Sequence, residues 1–149
     1  MGLGFGAWQR YSWEGTPPTS FHAGVLTGFR SFESEYTDLV NDGLLLVRRY
    51  RRPADTVMSL DFSNPFAYSL GMRPAPGGAT TLHYRGNFSA SHHPTPERMF
   101  GQASLVMVPV VPTEAGLTLS IPRIYGPYLA AHFHLIGESP GWRLYRNNL

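Results

Sequence analysis

The sequence predicts an all-β domain, a sandwich or a barrel, with one short helix and an extended N-terminal arm. Three observations carry that expectation. The chain has 149 residues, which is one domain's worth and enough to close a single core. Gly (16) and Pro (13) together fill about one position in five, so long helices are interrupted before they can form. The apolar residues fall in roughly six to eight short runs separated by turn residues, as strands do.

Residues 1–18 string Phe5, Trp8, Tyr11 and Trp13 among Gly2, Gly4, Gly6 and Gly15. Glycine at this density disfavours an autonomous element, and four exposed aromatics would aggregate, so the segment is expected to lie as an arm against another surface. The organisation expected is thus an arm at 1–18 and a single domain at 19–149. Residues 21–29 alternate apolar with small or polar positions, a strand pattern. Residues 38–50 form the one convincing helix, with Thr37 and Asp38 as caps and Arg48 and Arg49 at the end that the macrodipole favours for cations. Leu39, Val40, Leu44 and Val47 share a face, and Pro53 stops it. The remaining runs, 56–62, 79–90, 103–111, 116–121, 128–136 and 142–145, read as strands, with breaks at 64–65, 74–78, 94–96, 112–116 and 139–141.

Composition narrows function. Charged residues make up 15% of the chain, against roughly 25% in an average domain, so much of the surface is expected to be covered. All twelve basic residues are arginine, which suits planar, paired contacts to carboxylate or phosphate. The net charge of +2 excludes a protein that coats a polyanion with its whole surface. Without cysteine there is no disulfide scaffold and no thiolate metal site. No basic segment leads into an apolar signal run, and no stretch approaches the roughly 20 apolar residues of a membrane span. The chain therefore reads as soluble and without a visible targeting signal.

Three clusters could carry chemistry. His132 and His134, two apart on an expected strand, would share a face, and Glu138 could complete a facial set for a divalent metal. With Gly126, this spacing resembles the first motif of the cupins; His83, His92 and His93 are the outside ligands on offer, and the alternative is that both histidines occupy the polar face of that strand. Ser91-His92-His93 with Glu97 is the only dense nucleophile set, and adjacency in a proline-flanked turn does not supply triad geometry. Arg48, Arg49, Arg51 and Arg52, interleaved with Tyr50, could touch phosphates, or pair with acids of a neighbouring subunit.

The order of three segments resembles the coat proteins of picorna-like viruses of the dicistrovirus and iflavirus type. These are an acid and short helix ending in leucines and arginines (residues 35–49, EYTDLVNDGLLLVRR), His83-Tyr84-Arg85-Gly86-Asn87, and a later Pro-Tyr segment at 119–128. The resemblance implies an antiparallel β-sandwich of jelly-roll topology. It also implies a structural, non-enzymatic virion protein that needs no cofactor and assembles with other copies of itself or sister capsid subunits into an icosahedral shell around packaged RNA. The alternatives are a cupin-like metal enzyme and another phage or virion β-rich assembly protein.

Overall fold

The computed structural model describes residues 19–20, 30–31, 34–79, 81–113 and 115–149. The chain divides into two units, Met1–Asn41 and Asp42–Leu149. In the first, β1 (Thr19–Ser20) pairs antiparallel with β2 (Arg30–Ser31), Thr19 opposite Ser31. The strand expected at 21–29 and the arm aromatics Phe5, Trp8, Tyr11 and Trp13 lie outside the described residues. Helix α1 (Ser34–Tyr50) starts in this unit with Glu35 in its first turn and ends in the second with Arg48 and Arg49 in its last. The predicted helix is there, and it begins one turn earlier.

The second unit is built on a five-stranded mixed sheet ordered β4-β3-β5-β7-β6. Its elements are β3 (Thr56–Ser59), α2 (Phe66–Ser69), β4 (Arg73–Pro74), α3 (Pro96–Phe100), β5 (Leu105–Pro109), α4 (Ala115–His132), β6 (Phe133–Glu138) and β7 (Trp142–Asn147). Strand β3 runs parallel to both β4 and β5, while β7 is antiparallel to β5 and to β6. This overturns the all-β expectation and the antiparallel jelly roll with it. The fold is mixed α/β, with four helices among the described residues.

The reason lies in periods. Residues 116–121 and 128–132, expected as strands, are both helical, because Leu117, Ile121, Tyr125 and Leu129 recur every fourth position and all four are buried. Among the described residues of 79–90 there is no strand: isolated pairings join Ser63 to Thr81, Tyr84 to Phe88 and Ser89 to His92. The Asn87 side chain holds that turn, accepting from His83 N (2.8 Å) and donating to Thr81 O (2.8 Å). The break expected at 94–96 starts α3, where Thr95 caps Arg98 N and Pro96 takes the first helical position, whose amide would be unpaired anyway.

Register assigns the two faces of the sheet, since residues directly opposite one another share a face. Val57 faces Leu105, Ser59 faces Met107, and Met107 faces Leu144. On this side α1 comes close enough that a methyl group at Gly43 would lie 2.6 Å from the Phe66 ring, and Phe66 of α2 meets Trp142 edge-on at 4.9 Å. The other side carries Met58, Val106 and Phe133, which pack with the α4 stripe, with Met99 and Phe100 of α3, and with Leu82 and Phe88 of the turn. Helices thus cover both faces. The polar chemistry is left to the ends of the strands.

Candidate functional site

Helix α1 stops at Tyr50, and the chain turns through Arg51, Arg52, Pro53 and Ala54 into β3. Arg52 N donates to Asp55 Oδ2 (2.8 Å), while Asp55 N donates back to Arg52 O (3.1 Å), so the turn is closed from both sides. Across from it, α2 ends in Leu70 and Gly71. Gly71 takes φ +60°, a left-handed conformation that glycine adopts without steric cost, and Met72 N returns to Ala67 O (2.8 Å). Arg73 follows, opening β4 beside Thr56 of β3. Between these walls lies a groove of about 740 Å³ at the amino ends of the parallel strands β3 and β4.

One acid lines the groove, and it is already neutralised. Asp55 takes a bidentate contact from Arg146, Nη1 to Oδ1 and Nη2 to Oδ2, each 3.1 Å, in a part-buried site. Arg146 Nη2 also donates to Tyr50 O (2.8 Å), so the last turn of α1 is bolted to β7. The guanidiniums left over are Arg51, Arg52 and Arg73, all exposed. Arg51 spends one N–H on Leu70 O (2.6 Å), which spans the groove and fixes its head. Among the described residues, neither Arg52 nor Arg73 pairs with an acid. Three cations therefore face one concavity with no free anion among the described residues to balance them.

The structure splits the arginine cluster read from the sequence. Arg51 and Arg52 line this groove. Arg49 lies over the Tyr50 ring at 5.5 Å and borders a separate hollow with Asp42 and Glu138, while Arg48 is exposed on α1. Tyr50 itself packs against β6, where a methyl group at Gly137 would meet its ring at 2.6 Å, so it is absent from the groove wall. Arg73 was missed. It stands far along the chain from the cluster, and only the parallel pairing of β3 with β4 brings it there.

The metal reading loses its geometry at a helix–strand junction. His132 ends α4 with its ring 4.2 Å from that of Tyr128, whereas His134 is in β6 with Nδ1 2.7 Å from Asn148 Oδ1. The shared-face rule for residues two apart needs both on one strand. Glu138 is engaged with Arg143 (3.2 Å), and among the described residues no group of three His, Asp or Glu could hold a metal ion. Ser91, His92, His93 and Glu97 do not assemble a triad either. His92 N donates to Ser89 Oγ, the His93 ring contacts Ser89 O (3.1 Å), and Ser91 Oγ lies by Ser89 Oγ.

At the opposite, carboxyl ends of β3 and β5, Asp61 is buried and accepts from both the amide (2.9 Å) and the hydroxyl of Thr113. That carboxylate is a clamp between two loops. Comparison with known proteins finds no matching family model, no matching curated protein and no matching solved structure.

Proposed function

We propose that this chain is a non-enzymatic binding module that holds an RNA phosphate backbone in the Arg51, Arg52 and Arg73 groove as part of a larger assembly. The observation that carries the reading is the convergence of three guanidiniums, none of them with an acidic partner among the described residues, on one groove. Guanidinium forks match phosphate oxygens, and their positive surplus grows more favourable as counterions leave a polyanion. Location supports binding over chemistry. Open α/β sheets place reactive ligands at the carboxyl ends of the strands, and this groove sits at the amino ends.

The low charge of the chain supports setting the module within an assembly, a virion shell with sister subunits being one form of it. The jelly roll that carried the narrower coat-protein reading is not this fold, so that form now rests on composition and on motif order.

Titration of a labelled single-stranded RNA at increasing salt tests the proposal. Three phosphate contacts give a slope of log K against log salt of about −2 for a single strand, and Arg52→Ala or Arg73→Ala should each flatten it by about 0.7 while weakening affinity several-fold. Both sites are exposed, so circular dichroism should show an unchanged fold. Unaltered binding in the double variant would sink the assignment.

A further inference from the structure

The arginine groove continues into a second one of about 290 Å³, because Arg52 and Asp55 line both. The second groove is of another character: its added cation, Arg146, is spent on Asp55 and Tyr50 O, and Gln102, Ser104 and Asn147 supply amides and a hydroxyl. Two of these are committed to the fold. Ser104 Oγ accepts from Thr56 N (3.2 Å), and Asn147 Nδ2 donates to Ala103 O (3.2 Å). Gln102 is exposed, its carbonyl is anchored by the Thr56 hydroxyl (2.8 Å), and its side-chain amide has no partner among the described residues. Asp55, shared between the grooves, is occupied by Arg146 and by Arg52 N and so repels no neighbouring anion outright. Neither groove is lined by an aromatic ring.

A ligand that fits both halves is anionic at one end and neutral and hydroxylated a few ångströms further on, and it offers no base to be stacked. Nucleic acid meets that description through its sugar–phosphate backbone alone. Sequence-tolerant single-strand binding normally uses aromatic platforms for the bases, and these grooves have none. A side-chain amide can donate to and accept from a hydroxyl at once. Resting on the reading of the arginine groove above, we infer that the paired grooves recognise the ribose–phosphate backbone independently of sequence, with the Gln102 amide reading the 2′-hydroxyl and so preferring RNA to DNA.

The test is fluorescence anisotropy on the full chain with RNA and DNA strands of one sequence, each about 12 nucleotides long. Wild type should bind the RNA roughly fivefold more tightly, the worth of one hydrogen bond. Gln102→Ala should bring RNA down to the DNA value and leave the DNA affinity and the salt slope as they were. Oligo-U and oligo-A should bind alike. Equal affinity for RNA and DNA, or an RNA preference that survives Gln102→Ala, overturns the inference while the phosphate reading stands. If neither strand binds and an acidic peptide does, both readings fall, and the groove is a protein contact.

Discussion

Burying Asp55 beside Arg146 removes both charges from water, and such a pair is tolerated only when its remaining hydrogen-bonding capacity is used. Here it is: both carboxylate oxygens meet the guanidinium fork, Arg52 N takes Oδ2 as well, and Tyr50 O takes a further N–H. Tyr125 shows the same economy without charge. It is fully buried, its hydroxyl donates to Pro94 O (3.0 Å), and burial pushes the phenol from 10.0 up to about 12. The folded state therefore holds this proton more tightly than the unfolded chain does. Its contribution is complete below pH 10 and is lost as pH rises toward about 12. Melting curves across that window should fall more steeply for wild type than for Tyr125→Phe. The variant should itself be less stable at neutral pH by about 1 kcal/mol, the net worth of the hydrogen bond. Parallel curves would show that Tyr125 is not the group responsible. Arg51 and Arg52 were legible at this scale as an unusual local density of cations. Arg73 was not, since nothing beside it in the chain marks it.

Helix α4 is where the sequence reads least directly. Pro122 and Pro127 lie inside it, each removing an amide that would donate one turn back, and both side chains are exposed. Read one residue at a time they are stop signals, and so 116–121 and 128–136 look like strands on either side of a loop. The buried stripe of Leu117, Ile121, Tyr125 and Leu129 outweighs them, because packing one face against β3, β5 and β6 recovers more than two missing hydrogen bonds withhold. A count at four-residue spacing across the prolines would have found the helix. The carboxyl end of α1 was legible because Arg48 and Arg49 sit where the dipole wants them, whereas its start was read one turn late, Thr37 and Asp38 lying inside the helix and not capping it. If the prolines are tolerated and not required, Pro127→Ala should raise unfolding stability by about 1 kcal/mol. The restored amide and better propensity outweigh the greater entropy of the unfolded chain. Urea unfolding measures this, and a less stable variant would mean that the helix depends on the geometry that Pro127 imposes.

At the scale of the whole molecule, turn density reports how often the chain reverses and says nothing of which strands meet. The runs at 56–62, 103–111 and 142–145 did become β3, β5 and β7, yet the parallel pairing of β3 with both neighbours depends on contacts far apart in sequence. That arrangement gives the second unit two unlike ends. The amino ends of β3 and β4 carry the arginine groove; at the carboxyl ends the Asp61–Thr113 clamp is flanked by Phe62, Val110 and Val111, all exposed, Val111 to 73%. Exposed apolar side chains gathered at one end, on a chain this poor in charge, are lost from water most readily against another protein. Association through that end would leave the groove at the other open to RNA. Sedimentation velocity at micromolar concentration should therefore show species larger than one chain, and Val111→Asp should shift them toward monomer without altering the RNA titration. The two effects separate only if the ends are independent. A wild-type monomer at that concentration, alone and with RNA, would remove the assembly from the proposed function and leave the phosphate groove to act in a free-standing protein.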